Sequence, residues 1–464
     1  MSIKLREYQS DAINSIYHKW KTKRNLILWA ATGSGKSEMA AYIAQDCLKD
    51  KMPVVMIVRG RELVKNLSDR LSKYKIDHSV YMAGHYKFDR KKLIQICSID
   101  TMKSRNDYPY HDVNCVVILD ECHKSYDDVF EKYQTQYKLG LSGTPFAHDM
   151  SMYDDYVCPL EPYELRDMGV LVPDKIYCPH VMDTSSLKIV AGDFKRDQVE
   201  QLVTNGEIVG NVIEDYVTYG ENRPSVCFAV SVEHSKQLRD EFNRRGIGAV
   251  HCDASSTDDE RKKAKEGLED GSIKVLCNVD IFSVGWDCPI VGCVILARPT
   301  WSLIWYLQAI GRGLRSSPGK RDCIILDNAG NVFRHGTPYR PRDISLDKPE
   351  KGKKKKYEKD ESVRTCFECY AVYESKLIDC PYCGATPPVR EIKKIEGMLK
   401  LYSETPQEKE ERNKKEAQNA YHKLLWVARK KNLPKAWVRS EIEKKYGKTV
   451  LPIIDELLRF SKLW

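Results

Sequence analysis

At 464 residues, 42% hydrophobic and 30% charged, the chain is long enough for about two to four domains. It is too apolar for a disordered polyampholyte. Its net charge of +9 is unevenly spread: residues 1–110 carry +10, residues 111–330 carry −12 and residues 331–464 carry +11. Two basic ends around an acidic middle exclude a uniformly basic nucleic-acid coat and leave room for local basic surfaces.

No run of about 18 apolar residues occurs, and Met1–Glu7 lacks the apolar stretch of a signal peptide. The expectation is a cytoplasmic protein with no membrane partner. Twelve of the sixteen cysteines are scattered singly through apolar runs, as free buried thiols would be.

In chain order, short apolar runs alternate with helical patterns. The first series is Leu26–Ala30, Val54–Val58, Leu93–Cys97 and Val113–Leu119, with Glu62–Leu71 helical in pattern. A second series runs through Ser225–Val230, Ala249–His251, Lys274–Asn278, Cys293–Ala297 and Cys323–Leu326. Continuous apolar strands alternating with helices indicate parallel sheets covered on both faces, hence an α/β fold in two lobes. The divisions expected are lobe one at 1–160, a connecting region at 161–205, lobe two at 206–336, a basic linker at 337–362, a cysteine module at 363–388 and a charged helical module at 389–464.

Ala30-Ala31-Thr32-Gly33-Ser34-Gly35-Lys36-Ser37 follows a strand and precedes the helical segment Met39–Leu48. That is the setting of a phosphate-binding loop. Backbone N–H groups of Thr32, Gly33, Ser34 and Gly35 would turn towards phosphate, Lys36 would reach the β- and γ-phosphates, and the Ser37 hydroxyl would ligate Mg²⁺. The usual first glycine is Ala30 here.

A strand then ends in Asp120-Glu121-Cys122-His123. Carboxylates at that sheet edge sit where ligands bind in open α/β folds. Asp120 would complete the magnesium site and Glu121 would activate water. Further on, Gln308-Ala309-Ile310-Gly311-Arg312-Gly313-Leu314-Arg315 places two arginines three apart. If helical, that spacing puts both on one face, suited to clamping a transferring phosphoryl group. Gly285-Trp286-Asp287 alone reads as a turn.

Cys366-x-x-Cys369 and Cys380-x-x-Cys383 lie ten residues apart. Four thiolates on two tight turns suit a closed tetrahedral structural Zn²⁺ site, with disulfides or free thiols as the alternatives. A module of about 25 residues buries too little surface to fold alone, so metal would supply the folding energy. In the tail, Lys423, Arg429, Lys430, Lys431, Lys435 and Arg439 lie near Trp426 and Trp437. This pattern suits either nucleic-acid grip or a miniature helical core with solvated lysines.

Together these residues resemble a superfamily 2 DExH-box helicase over residues 5–330. Leu5-Arg6-Glu7-Tyr8-Gln9 is similar to the adenine-reading segment, which implies cofactor contacts from Gln9 and Arg6. Arg59–Leu63 and Ser98–Thr101 resemble strand-contacting motifs, and Ser142-Gly143-Thr144-Pro145 resembles the coupling motif. Gly285 and Asp287 match the fifth motif, and Gln308, Gly311, Arg312 and Arg315 match the sixth.

The resemblance implies two RecA-like lobes with ATP and Mg²⁺ between them and nucleic acid across the top. It gives Lys36, Asp120, Glu121, Gln308, Arg312 and Arg315 to catalysis, and makes His123, Ser142 and Thr144 coupling residues. Among such helicases the chain most resembles the bacterial and phage RadD-type group, which carries a cysteine cluster and helical tail after the motor.

That points to an ATP-dependent helicase or translocase in repair, recombination or phage replication, with DNA favoured over RNA. A protein partner could dock through the ribbon or tail. Two other roles stay open: a motor subunit of a defence or restriction complex, or strand-annealing remodeller; and a zinc-containing nucleic-acid scaffold with an ATP switch. The oligomeric state is not readable.

Overall fold

The computed structural model describes residues 3–460 apart from 147–148, 180, 204–205, 281–286, 348–361, 388–405 and 431–432. It divides into two compact units, Met1–Pro388 and Val389–Trp464.

Unit one holds two parallel sheets. The first contains β1 (Asn25–Trp29), β2 (Val54–Val58), β3 (Ser79–Tyr81), β4 (Ile94–Ser98), β5 (Val116–Asp120), β6 (Tyr137–Ser142) and β7 (Asp155–Val157), in the order β3-β4-β2-β5-β6-β1-β7. Every pair in it is parallel. Strands β2 and β4 are buried at every residue, as expected for a sheet covered by helices on both faces. The helices Lys36–Lys49 and Arg61–Lys73 supply part of that cover through Met39, Ile43, Val64 and Leu71.

The second sheet contains β8 (Asp174–Tyr177), then, after the two-residue strands β9 (Ile189–Val190) and β10 (Asp193–Phe194), β11 (Ser225–Phe228), β12 (Ala249–Cys252), β13 (Val275–Asn278), β14 (Cys293–Leu296) and β15 (Cys323–Asp327). Its order is β12-β13-β11-β14-β15-β8, again all parallel. Strand β8 comes from the segment read as a connector and forms the sheet's edge.

The core of the second sheet also takes in Tyr8 and Ala31 of the first lobe. Beyond lobe two the chain returns to the first lobe, where Ile344 and Leu346 pack against the cluster of Trp29 and Tyr153.

The cysteine segment forms the hairpin β16 (Val363–Thr365) and β17 (Val372–Glu374). It is built onto lobe two. Tyr177 bridges Ala371 in antiparallel fashion, the Cys178 amide donates to the Tyr370 carbonyl at 3.1 Å, and Val363 and Val372 join the core of Ile176 and Cys178.

Unit two contains the helices Pro406–Lys430, Lys435–Tyr446 and Leu451–Phe460. Ala417, Tyr421, Leu425 and Ala428, at helical spacing, bury against Val438, Ile442 and Ile454. Trp437 packs against this core. Arg439 pairs with Asp455 at 2.8 Å and Lys435 donates to the Leu458 carbonyl at 3.2 Å, so those two cations serve the fold. The side chains of Trp426, Arg429, Lys430 and Lys431 lie outside the described residues, as do Lys353–Lys356.

Candidate nucleotide site between the lobes

Three adjacent strands, β5, β6 and β1, end side by side on one edge of the first sheet. They deliver Asp120-Glu121, Ser142-Gly143-Thr144 and the phosphate loop to the same place. Neighbouring parallel strands necessarily present their carboxyl-terminal loops together. A cleft of about 800 Å³ opens there, lined by Thr32, Gly33, Gly35, Lys36, Ser37, Asp120 and Glu121 from lobe one and by Asp287, Arg312 and Arg315 from lobe two. The Arg6 side chain also lines it.

The phosphate loop turns through left-handed glycines, Gly33 at φ +92° and Gly35 at φ +89°, before its helix starts at Lys36. A side chain at Gly35 would bring its Cβ to 2.2 Å from Gln9 Nε2. Gln9 is buried; it accepts from the Arg6 amide at 2.9 Å and donates to the Ser34 carbonyl at 2.9 Å. Tyr8, given no role in the sequence reading, donates its hydroxyl to that same carbonyl at 2.8 Å.

Lys36 Nζ donates to the carbonyls of Ala30 at 2.7 Å and Ala31 at 3.2 Å. Burial lowers its pKa, against the pull of Glu121 and Asp120. Gly143 stands where a Cβ would lie 3.2 Å from both Lys36 Nζ and the Thr32 amide, so glycine widens the space under the loop.

Asp120 is pushed up to about 7 by burial and by the neighbouring Glu121 carboxylate. A buried acid held above its ordinary range is poised to ionise when a cation arrives. Asp120 accepts from the Glu121 amide at 3.0 Å. Its carbonyl accepts the Tyr126 hydroxyl at 2.6 Å, and Arg59 lies over the Tyr126 ring at 4.8 Å. Nothing in the local sequence marks Tyr126 for this role.

Glu121 sits at φ +50°, a strained region for a non-glycine residue and typical of functional turns. Cys122 fits because a Cβ at Gly140 would come within 2.7 Å of it.

The lobes meet through Gln308, whose Nε2 donates to Glu121 Oε2 at 3.2 Å and lies 3.5 Å from His123 Nε2. His123 Nδ1 lies 3.1 Å from Ser142 Oγ, which accepts the Thr144 amide at 3.0 Å. Burial lowers the His123 pKa, so the ring is neutral at pH 7. One polar chain thus runs from lobe two through Glu121 and His123 to the end of β6.

The arginines correct the helical expectation. The helix ends at Ile310; Arg312 lies in the turn beyond it, and Arg315 forms an antiparallel bridge with Leu171. The glycines explain the stop: a Cβ at Gly313 would come 2.4 Å from Cys323 Sγ, and one at Gly311 would press on Thr32 at 3.3 Å. Close approach to the sheet and to the phosphate loop replaces continued helix. Arg312 is buried, and desolvation with its neighbour Arg315 depresses its pKa to about 9, leaving it cationic at pH 7. Arg315 pairs with Asp287, and its Cγ lies 3.3 Å from where a Gly33 Cβ would stand. Gly285 lies outside the described residues.

Away from the cleft, the four Sγ atoms of Cys366, Cys369, Cys380 and Cys383 lie within 4.8 Å of one another. The pairs Cys366–Cys383 and Cys369–Cys380 stand at 3.6 and 3.7 Å. A tetrahedron with Zn–S of about 2.3 Å has edges of about 3.8 Å, so the donor set fits zinc. Each pair is followed by a left-handed residue, Tyr370 at φ +56° and Gly384 at φ +73°. Burial opposes ionisation of Cys366, but the Cys369 and Glu368 amides win and bring it down to about 7.

These features agree with what the chain resembles elsewhere. Residues 2–147 match the family model of the type III restriction enzyme res subunit, and residues 209–317 match the helicase conserved C-terminal domain. A 51.5 kDa protein of a Lactococcus phage is 30% identical over 361 residues, covering 76% of each chain. A Saccharomyces cerevisiae protein provisionally named as an ATP-dependent helicase is 27% identical over 361 residues, 70% of this chain and 51% of that one.

In structure, a fragment provisionally assigned as the HsdR subunit of a Vibrio vulnificus type I restriction enzyme superposes with TM-score 0.58 at 17% identity, over 71% of this chain and 65% of that one. The type ISP restriction-modification enzyme LlaBIII bound to DNA gives 0.51 at 16% identity, over 70% and 28%. The fold they share is the pair of RecA-like lobes.

The chain belongs to the superfamily 2 helicases. It is an ATP-hydrolysing, nucleic-acid-binding enzyme of that class, with ATP and Mg²⁺ as cofactors. Among the described residues no helix is long and apolar enough to cross a membrane.

Proposed function

We propose that this helicase moves along DNA, serving repair, recombination or phage replication in the cytoplasm of a bacterial or phage-infected cell, as the RadD-type resemblance suggests. The observation that supports coupled movement best is the contact of Gln308 with Glu121 and His123, which ties lobe two to the water-activating carboxylate.

In this reading Lys36 binds the β- and γ-phosphates, Ser37 and Asp120 hold Mg²⁺, and Glu121 takes the proton of the attacking water. Bound Mg²⁺ neutralises phosphate charge. Arg312 and Arg315 stabilise charge on the transferring phosphoryl group, while Arg6, Gln9 and Asp287 shape the nucleotide pocket. His123, Ser142 and Thr144 relay the site's state to the strand-contacting loops. The four cysteines hold a structural Zn²⁺ that stabilises the hairpin.

The likeness to restriction motors and the match to a res-subunit model favour one second reading, a motor subunit that works with a separate nuclease. The deciding experiment measures ATPase rate against single-stranded, duplex, forked and RNA ligands, beside strand displacement and annealing on forks. DNA-stimulated turnover with displacement supports the helicase role. Duplex-stimulated turnover without displacement favours the restriction-type motor. Turnover unmoved by any nucleic acid overturns both.

A further inference from the structure

The connection between β3 and β4 was absorbed by no part of the nucleotide site. Its sequence, His85-Tyr86-Lys87-Phe88-Asp89-Arg90-Lys91-Lys92, mixes three aromatic rings with four basic residues. It leaves the carboxyl end of an edge strand, on the sheet edge that carries the phosphate loop.

The loop is held firmly at its base. The Val80 amide donates to the Lys87 carbonyl at 2.7 Å, the Asp89 amide donates to Ser79 Oγ at 2.8 Å, and Phe88 packs on Tyr81 with ring centres 4.9 Å apart. The Ala83 amide donates to Thr101 Oγ1 at 3.1 Å, which fixes the loop beside Ser98–Thr101, the segment resembling a strand-contacting motif.

What this base holds up is an aromatic step. Tyr86 is 92% exposed and stacks on His85, with centres 4.9 Å apart and planes 15° from parallel. His85 is itself fixed, since Nδ1 accepts the Lys87 amide at 3.2 Å. One face of the tyrosine is backed by a ring and the other is open. Lys91, five residues on in the same loop, is exposed, and Arg105 from the Ser98–Arg105 side lies over Tyr81 at 5.4 Å. A held ring with an open face, on a loop that also carries exposed cations, has the chemistry that binds single-stranded nucleic acid: phosphates take the charge and a base takes the ring.

We infer that Tyr86, backed by His85, is a stacking platform for an unpaired base of the strand running past Ser98–Thr101. This rests on the nucleic-acid reading above and adds a contact to it. Because every base has a π-face, the contact is sequence-tolerant, as a translocating motor requires.

The test uses the full chain and fluorescence anisotropy with an oligothymidylate of about 15 nucleotides and an abasic strand of equal length. The intact protein should prefer the thymidylate. Tyr86→Ala should weaken thymidylate binding by about five- to a hundredfold and leave abasic binding unchanged, erasing the preference. Tyr86→Phe should retain it. Lys91→Ala should weaken both strands alike and lower the salt slope by about one.

Thymidylate affinity unchanged in Tyr86→Ala overturns the platform while leaving the helicase reading intact. An intact protein that binds neither strand overturns that reading as well. The residue is at the surface, and folding of the variant is checked by its melting temperature, which should match that of the intact protein.

Discussion

The two lobes build their halves of the cleft differently. Lobe one brings its chemistry on loops that end three neighbouring strands, β5, β6 and β1, so its groups are fixed by one sheet. Lobe two brings Gln308 on a short helix, Arg312 on the glycine-bounded turn after it and Arg315 on the bridge to Leu171 that follows. Its contribution depends on how those segments press against Thr32 and Gly33 across the boundary. The first arrangement suits binding and the second suits a contribution made only when the halves meet.

Variants of one residue from each lobe are the sharpest way to break this contrast. Lys36→Ala should lose both nucleotide affinity and turnover, the latter by at least ~10²-fold. Arg312→Ala should lower kcat by about 10³–10⁵-fold with nucleotide affinity nearly unchanged in equilibrium titration. An Arg312→Ala enzyme of unchanged rate would dissolve the contrast.

The next effect concerns the cysteine module. Metal analysis should find one zinc per chain, and none in Cys380→Ser. Structural zinc sites supply on the order of 10 kcal/mol to small modules. The variant should therefore expose Val363 and Val372 to proteolysis and lower the melting temperature of the second lobe rather than the first. A zinc-free protein with an unaltered melting profile would refute this.

A smaller effect comes with acid. Burial lowers the pKa of His234 and of His335 to about 4, both in lobe two, from a usual value near 6.5. The unfolded chain therefore binds more protons than the folded one between these values. Stability is full above pH 6.5 and falls as the pH drops towards 4, by on the order of 1–2 kcal/mol per group at pH 5. Denaturant titrations at pH 7 and pH 5 should show it, and His335→Gln should reduce the difference.

The smallest catalytic effect should come from outside both lobes. Deleting residues 389–464 removes a compact unit with its own core. Basal ATPase should stay within about twofold, while DNA affinity and its salt slope fall if the tail's cations reach phosphates. Unchanged affinity would show that they only solvate the helices.

Much of lobe one was legible because its central strands are uninterrupted apolar runs and its loops carry dense signatures. Strand β6 escaped because Lys138 and Gly140 interrupt its run. Lys138 is buried, with Nζ donating to Asn25 Oδ1 at 3.3 Å and the Gln136 carbonyl at 3.2 Å, and burial brings its pKa down to about 8. Strand β3 spans only three residues, and β8 opens on Asp174-Lys175, so neither offers an apolar run to read.

The Gln308–Glu121 contact spans 187 residues, so no local pattern could place it. The three-residue spacing of Arg312 and Arg315 would share a face only on a helix, and the close packing of Gly311 and Gly313 that ends the helix before them has no local signature. Tyr8 and Tyr126 carry no local signature, since their partners are backbone carbonyls.

The docking of the cysteine hairpin on β8 has a mechanical meaning. An edge strand offers open hydrogen-bonding groups that invite foreign strands, and the bridge from Tyr177 to Ala371 begins to cover them. It also makes the hairpin a passenger of lobe two, sharing its core through Val363 and Val372. The hairpin and the turn of Gly311 therefore belong to one body, since Ile310 and Leu314 lie in that same core, and a rotation of lobe two against the phosphate loop would carry the hairpin with it.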